Sequence, residues 1–374
     1  MKRKLSFDYF LLLITGLLVV IGLVAIFSAS APYSYIGKES SYAYLKNQLK
    51  WLVIGIFSLF FAAKFNYHWY QKLDRIIILL VLFFLCVVYL PGVGRQIRGT
   101  YRWIDLKSFH FQPSEFAKIG LIIYLSSSLV RKKDKLNSFI NGFLPFFIII
   151  SFIFLLVVME PDLSSAMIIA IVGFAVLYAG GVKVSHMFYA ILLAAIPLYF
   201  SIFGVGYRKG RITAFLHPER YPQGIGFQLI HSKISLGVGG LWGLGPGKGR
   251  EKLFYLPTPH TDSIFAVIGE ELGFVGTSLI VVLFFLMAVR GLKIVRKAPD
   301  DLGKLLALGL TFLICFQAVI NMGVATVIFP TTGATLPFIS YGGSSLIVCL
   351  TAVGILLNIS RKPPGFPSVA GDAP

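Results

Sequence analysis

Long apolar segments alternate with short polar connections along nearly the whole chain. A bilayer-crossing helix needs about 17 apolar residues or more. Segments of that length fall near residues 7–29, 47–63, 74–91, 114–130, 143–159, 162–181, 184–203, 262–290, 302–328 and 337–359. The pattern predicts an all-α polytopic membrane protein with about ten transmembrane helices. The first segment is longer than the apolar core of a signal peptide, so we expect it to be retained as a span.

The composition favours the same class of protein. Hydrophobic residues make up 56% of the chain and charged residues 13%, whereas soluble domains carry about 25% charged residues. The net charge of +18 would suggest nucleic acid in a soluble protein. Here most basic residues lie between apolar segments, where they set membrane topology, so we expect no nucleic-acid partner. Cys86, Cys315 and Cys349 lie within apolar segments and show no metal or disulfide spacing.

The basic residues also predict the orientation. An even number of spans puts both termini on one side, and that side carries more Lys and Arg residues than the other, so the positive-inside rule makes it cytoplasmic. These residues are Lys2, Arg3, Lys4, Lys64, Lys72, Arg75, Arg131, Lys132, Lys133, Lys135, Lys183, Arg290, Lys293, Arg296, Lys297, Arg361 and Lys362. We therefore expect a multi-pass protein of the cytoplasmic membrane with both termini inside.

Two outer connections are basic against this rule. The shorter holds Arg95, Arg98, Arg102 and Lys107, and the longer, about residues 204–261 between the seventh and eighth spans, holds eight basic residues. An anionic ligand on the outer face explains these basic residues, and contact with outer-leaflet headgroups is the alternative.

Within the longer connection, the segment GVGGLWGLGPGKG (237–249) lacks the Walker A spacing and is expected to be a flexible loop. The membrane domain is expected over 1–362, followed by a disordered Pro/Gly-rich tail over 363–374.

Acidic residues at the predicted outer boundary are the candidates for chemistry. Glu115 and Lys118 lie three apart at the start of a helix, so they share a face and form either an anchoring ion pair or a substrate-facing pair near Arg102. Glu160 and Asp162 flank Pro161 in a hairpin, where Asp162 suits an N-cap.

The eighth span begins with a second acidic group. Asp262 is expected in its first helical turn, capped by Thr261. Glu270 and Glu271 follow about two turns later, so at least one should face a polar cavity or a cation. The segment TTGATLPFISYGGSS (331–345) permits a broken helix, and Gln317 and Asn321 add polarity to the span before it.

These residues together resemble a known family. RWIDL…FQPSEFAK, MEPDLSSAM, HSKISLGVGGLWGLG, YLPTPHTDSIFAVIGEELGFVG and TLPFISYGGSS occur in the order found in SEDS proteins (shape, elongation, division and sporulation). The resemblance covers about residues 7–360. Ser263 replaces an aromatic residue of the family pattern, and EPDLSSAM replaces EPDLGTAM. INMGV, KLFYLP and IGEELG are closer to the division-type members, FtsW, than to the elongation-type, RodA.

The resemblance implies a ten-helix peptidoglycan polymerase that joins lipid II units on the outer face of the bacterial cytoplasmic membrane. Asp262 corresponds to the essential aspartate of the family and is the candidate base, while Arg102, Glu115, Lys118, His260 and Glu160 are candidates for substrate binding. Arg102 and Lys118 would stabilise the leaving pyrophosphate, with Glu115 orienting Lys118. Asp262 is also a candidate ligand for a divalent cation, Mg²⁺ or Mn²⁺.

The implied partners are a class B penicillin-binding protein, the transpeptidase, and other membrane proteins of division or elongation. Two alternatives stay open at this point. A lipid II flippase would need polar residues along one path through both leaflets, and a division scaffold would not need Asp262.

Overall fold

The structure is a computed structural model that describes residues 7–36, 40–90, 93–97, 100–105, 110–204, 206–222, 224–253 and 255–361. Twelve α-helices make up most of it: α1 Tyr9–Ile36, α2 Ala43–Lys64, α3 His68–Val87, α4 Pro113–Arg131, α5 Leu144–Met159, α6 Leu163–Ala179, α7 Val184–Phe203, α8 Gly206–Leu216, α9 Ile225–Gly239, α10 Ile264–Lys297, α11 Asp301–Ala325 and α12 Gly343–Ser360. The tail over 363–374, for which the sequence predicts disorder, lies outside the described residues.

Each of the ten predicted spans overlaps one helix, namely α1 to α7 and α10 to α12. Within the described residues, six helices are long and apolar enough to cross a membrane, and α6 and part of α7 are shorter apolar helices. Side chains such as Phe57, Leu79 and Phe285 are more than half exposed on the outside of the bundle. An apolar outer surface of this kind is stable in lipid rather than in water, so the protein is an integral membrane protein.

Several helix boundaries differ from the predicted ones. The third span, predicted over 74–91, is the helix His68–Val87. Its first turns carry Lys72, Asp74 and Arg75, which mask the helix start in an apolar pattern. The last span, predicted over 337–359, is the helix Gly343–Ser360. Pro337 and the Gly342-Gly343 pair keep the preceding residues out of the helix, because both residue types disfavour helix interiors.

Two features between the helices are absent from the sequence prediction. A three-stranded antiparallel sheet, β1 Gly94–Ile97, β2 Thr100–Asp105 and β3 His110–Phe111, lies between α3 and α4. The long connection expected over 204–261 contains helices α8 and α9. The strands are short and mixed in polarity, so they leave no clear alternating pattern.

Buried apolar side chains form two adjoining clusters. One cluster is built mainly from α1, α2, α10, α11 and α12, and the other mainly from α3, α5 and α6. Helix α4 contributes Ile119 and Ile122 to the first and Leu121 and Leu125 to the second. Its position between the clusters explains why α4 is buried around most of its surface.

Helix α10 is kinked at Gly273, where φ is +64°. The glycine-rich segment after α9 lies in the kink, and backbone hydrogen bonds join the two: Leu244 N to Glu270 O at 3.0 Å, Gly245 N to Glu271 O at 3.0 Å, Phe274 N to Gly240 O at 2.8 Å and Val275 N to Leu241 O at 3.2 Å. A broken helix at membrane depth must have its freed backbone groups satisfied by protein. The segment predicted as a flexible loop is therefore bound to α10.

Side chains hold the same region together. Lys252 Nζ lies 2.5 Å from Glu271 Oε1, and both side chains are buried. Ser28 of α1 donates to Glu271 Oε1 at 2.6 Å. The prediction that Glu270 or Glu271 faces a cation is confirmed, and the cation is Lys252. Glu270 Oε1 accepts the main-chain N–H of Arg250 at 2.5 Å. Both glutamates thus attach the long connection to α10.

Candidate functional site

Asp262 lies in a turn before α10, whereas the sequence predicted the first turn of the helix. The helix begins at Ile264, and Ser263 before it makes no side-chain capping hydrogen bond. Thr261, the expected cap, donates instead to the carbonyl oxygen of Thr258 at 3.2 Å. The turn persists to Asp262 because the preceding Pro-Thr-Pro sequence favours turns. The Asp262 side chain is partly exposed, so a ligand can reach it.

The connection between α11 and α12, residues 326–342, packs against this turn. Asn321 Nδ2 donates to the carbonyl oxygens of Asp262 at 3.0 Å and Ala334 at 2.7 Å. A side chain at Gly333 would come within 3.5 Å of Asp262 Oδ2, so the glycine lies directly beside the carboxylate. Ser340 Oγ also donates to the carbonyl oxygen of Thr261 at 2.8 Å. These contacts fix the position of the Asp262 backbone.

Glu115 and Lys118 form the ion pair that their spacing predicts. Lys118 Nζ lies 2.6 Å from Glu115 Oε1 and 3.1 Å from Gln317 Oε1. Gln317 Nε2 in turn donates to the carbonyl and hydroxyl oxygens of Thr335, both at 3.1 Å. Lys118 is 2% exposed and Glu115 is 6% exposed. The pair therefore supports the connection beside Asp262 from inside the protein.

Arg102 binds the hairpin between α5 and α6. Its Nε donates to the carbonyl oxygen of Glu160 at 2.8 Å, and its guanidinium also contacts the carbonyl oxygen of Pro161. Asp162 accepts the N–H of Ser165 at 3.0 Å, which confirms it as the N-cap of α6. The side chain of Gln112, just before α4, reaches Asp162 Oδ2 at 3.4 Å. Arg102 and the hairpin thus lie next to the start of α4.

Glu160 is completely buried, and neither of its carboxyl oxygens has a hydrogen-bond partner among the described residues. Desolvation by burial raises the pKa of this carboxyl to about 9; the nearby Asp162 acts in the same direction, and Arg102 opposes both. A carboxyl in this state is neutral at pH 7. Glu160 is 0% exposed in this structure, and its expected contact with substrate stays a prediction.

His260 packs between two tyrosines. Its ring centroid lies 4.5 Å from that of Tyr44 and 5.7 Å from that of Tyr341, and its side chain is buried. Its carbonyl oxygen accepts the N–H of Tyr341 at 2.9 Å. Burial thus separates the candidates: Glu115, Lys118 and His260 are buried, whereas Asp262 and Arg102 are partly exposed.

Arg211 of α8 is a site residue that sequence reasoning did not single out. Its guanidinium donates to the carbonyl oxygens of Thr331 at 3.2 Å and Thr332 at 3.3 Å. These residues directly precede Gly333, so Arg211 brings a partly exposed positive charge to the connection beside Asp262. In the sequence it is one of several basic residues in a long connection, and no spacing distinguishes it from the others.

A metal site made by the protein alone is not present in the part of the chain that the structure describes. No three His, Cys, Asp or Glu side chains come together there in a way that could hold an ion. Asp262 could supply one carboxylate ligand, which is how Mg²⁺ is commonly bound when substrate phosphates complete its coordination.

Comparison with known proteins identifies the family. The sequence model of a protein family, the FtsW, RodA and SpoVE cell cycle proteins, matches residues 9–363 of this chain. The chain belongs to this family. The resemblance seen in the motifs is thereby confirmed. A relative from Geobacter sp. (strain M18), named probable peptidoglycan glycosyltransferase FtsW, is 39% identical over 98% of this chain and 100% of its own. Stage V sporulation protein E of Bacillus subtilis is 39% identical over 96% of this chain and 98% of its own.

Solved structures share the fold. One chain from a study of how a peptidoglycan synthase complex coordinates polymerization and crosslinking matches with a TM-score of 0.78 and 26% identity, covering 95% of this chain and 98% of that one. The rod shape determining protein RodA of Thermus thermophilus matches with a TM-score of 0.70 and 25% identity, covering 95% and 97%. The helical fold is therefore that of RodA and its relatives.

Proposed function

We propose that this protein is a peptidoglycan glycosyltransferase that polymerises lipid II. The observation that carries this function is the placement of Asp262, a partly exposed carboxylate whose backbone is fixed by Asn321 and whose side chain lies beside Gly333. Two relatives at about 40% identity over nearly their whole length are named probable peptidoglycan glycosyltransferase FtsW. A partly exposed acid in a rigid setting suits a reaction that needs one base.

In the proposed reaction, the 4-hydroxyl of the acceptor sugar attacks the anomeric carbon of the donor. The new glycosidic bond forms as the bond to the polyprenyl pyrophosphate breaks, and one such displacement converts the α-linked donor into a β-linked product. Asp262 accepts the hydroxyl proton. Carboxylates are weak bases, so this proton transfer is concerted with departure of the pyrophosphate.

The departing pyrophosphate needs positive charge close by. Arg102 and Arg211 are partly exposed basic residues that border two segments around the site, the hairpin at Pro161 and the connection at Thr331. We assign leaving-group stabilisation to these arginines. Lys118 is buried and its charge is balanced by Glu115, so we assign it a positioning role. Asp262 would hold a divalent cation if one takes part, and the cation would supply Lewis-acid stabilisation of the same charge.

The proposed topology has ten spans, both termini in the cytoplasm and the long connection outside, between the seventh and eighth spans. Polar contacts gather at the two ends of the bundle, which supports it. Asp262, the hairpin at Pro161 and the connection at Thr331 lie at one end. At the other end, Asp74 binds Arg131 and Asp301 binds Lys133. The second end carries more of the basic residues than the first and is assigned to the cytoplasm.

The proposed partner is a class B penicillin-binding protein, which would crosslink the strands as they form. The structural likeness to a chain of a complex that joins polymerization to crosslinking supports this pairing. Other membrane proteins of cell division would bind the same assembly. Lipid II is the proposed substrate, and no nucleic acid takes part.

A reconstituted assay tests this function against the flippase alternative. The purified protein, with its cognate class B penicillin-binding protein, is placed in liposomes with fluorescent lipid II, and both glycan strands and lipid movement between leaflets are measured. We expect strands that are digested by a muramidase. Lipid movement without strands from well-folded protein would contradict the proposal and favour a flippase.

A further inference from the structure

A basic pocket lies between the start of α1 and the end of α10, at the end of the bundle opposite Asp262. The cavity has a volume of about 400 Å³. Its basic wall consists of Arg290, Lys293 and Lys297. These residues are spaced by three and four positions, so they project from one face of the helix. Like charges on one face repel each other, and a bound anion would relieve that repulsion.

The protein itself balances little of this charge. Asp8 is the acidic residue of the pocket, and its Oδ1 already accepts the N–H of Leu11 at the first turn of α1, at 3.1 Å. Its Oδ2 lies 4.0 Å from the Arg290 guanidinium. Lys293 and Lys297 are exposed and make no ion pair within the described part of the chain. The pocket thus presents at least two lysine ammonium groups to any ligand that enters it.

Aromatic side chains form the other wall. Tyr9 is 66% exposed and Phe10 is 38% exposed, and both line the cavity. The Arg290 guanidinium lies 4.2 Å from the centre of the Phe10 ring. Phe7 also lines the cavity, and the guanidinium of Arg361, outside the cavity, lies 4.4 Å from the centre of the Phe7 ring. Aromatic rings beside basic groups at the ends of spans are typical of the membrane interface, where lipid phosphates lie.

We propose that this pocket binds the phosphodiester headgroup of an anionic phospholipid. Lys293 and Lys297 contact the phosphate, Arg290 supplies the third charge, and the acyl chains extend along the Phe10 side of α1. Basic pockets between membrane helices recognise anionic headgroups by this combination of charge and apolar surface. The bound lipid links α1 to α10. This site needs neither the glycosyltransferase activity nor Asp262.

The test compares two double variants that each remove two lysines from the same end of the protein. Lys293→Gln/Lys297→Gln changes the pocket, and Lys64→Gln/Lys72→Gln changes exposed lysines outside it. Each purified protein is titrated with phosphatidylglycerol, phosphatidylcholine or inorganic phosphate, and bound lipid is counted by native mass spectrometry alongside the thermal melting temperature.

We expect wild type and the control variant to bind phosphatidylglycerol in preference to phosphatidylcholine. Bound phosphatidylglycerol should also raise the melting temperature of both proteins. The pocket variant is expected to bind phosphatidylglycerol about 10- to 30-fold more weakly, as removal of two basic groups near a headgroup predicts. Lys293→Arg/Lys297→Arg should restore binding and shows whether the Gln variant has simply misfolded.

Three results would overturn the proposal. In the first, the pocket variant binds phosphatidylglycerol as tightly as the control variant. In the second, the two phospholipids bind equally well to wild type. In the third, inorganic phosphate alone reproduces the full thermal shift, which would make this a site for small anions.

Discussion

The side-chain amide of Asn321 donates a hydrogen bond to the main-chain oxygen of Asp262 at 3.0 Å. Gln317, one turn earlier on α11, accepts from Lys118 Nζ at 3.1 Å. One helix face therefore connects the buried ion pair of α4 to the turn that carries the proposed base. This arrangement makes the position of Asp262 depend on buried residues of α4 and α11.

Asn321→Ala should slow turnover without abolishing substrate binding. The variant loses the hydrogen bonds to Asp262 and Ala334, and a backbone group left unsatisfied costs about 1–3 kcal/mol. If that cost falls on the geometry of Asp262, kcat should drop about 10- to 100-fold. KM for lipid II should change little.

Asn358→Ala is the matched control for this prediction. Asn358 is also buried, and its side chain bonds the backbone of Tyr67 and Ala63 at the other end of the protein. We expect it to lose stability while folded protein keeps the wild-type kcat. Equal kcat values for the two alanine variants, measured per folded molecule, would argue against a positioning role for Asn321.

Glu115→Gln should destabilise the protein strongly, because it leaves the Lys118 charge buried without its carboxylate. Breaking a buried pair costs about 3–5 kcal/mol, whereas replacing both partners is often tolerated. The double variant Glu115→Gln/Lys118→Met should therefore melt at a higher temperature than the single variant. It should also regain part of the activity, because the fold is restored and Lys118 is assigned no contact with substrate. A double variant that is stable but inactive would show instead that Lys118 acts on substrate.

The raised pKa of Glu160 predicts that the stability of the protein depends on pH. Its pKa is raised from 4.5 to about 9 in the folded protein, chiefly by burial. Between these values the folded state holds a proton that the unfolded chain releases, so this residue lowers stability progressively as pH rises through that window. Glu160→Gln resembles the neutral form at every pH. Its melting temperature should exceed that of wild type at pH 8 and approach it at pH 5. A difference that does not vary with pH would contradict the assigned cause.

Gly243→Ala should release the long connection from α10. A Cβ atom at this position would lie 2.1 Å from the carbonyl oxygen of Glu271, and φ at Gly243 is +76°. Gly237→Ala is the control, because a Cβ atom there meets nothing within 4 Å. We expect only the first variant to become sensitive to protease in the connection between α9 and α10 and to lose stability. Equal protease resistance of the two variants would mean that the kink in α10 does not require its contact with the long connection.

Local patterns predicted much of this molecule. The spacing of Glu115 and Lys118 predicted their ion pair, and the position of Asp162 before a helix predicted that it caps α6. Each of these two contacts joins residues three positions apart, so a local pattern is enough to predict it. Each of the ten apolar segments overlaps one helix, although some helix ends differ from the predicted ones by six or seven residues.

Contacts between distant parts of the chain escaped prediction. Arg211 bonds Thr331, 120 positions away, and the glycine-rich segment fits a kink in α10 that no local rule marks. The sequence also did not predict which candidates are buried. Lys118 and Asp262 are similar candidates in the sequence, yet Lys118 is buried and Asp262 is partly exposed. Such differences arise from how the helices pack, which a local pattern does not specify.

The most direct test of the central claim compares Asp262→Asn with Asp301→Asn, which removes an exposed carboxylate at the opposite end of the bundle. Each purified variant is combined with the cognate class B penicillin-binding protein and lipid II, and strand synthesis and lipid II binding are both measured. We predict that Asp262→Asn binds lipid II but makes strands at least about 100-fold more slowly, as expected for loss of a general base. Asp301→Asn should match wild type. Strand synthesis by Asp262→Asn at the wild-type rate would contradict the account.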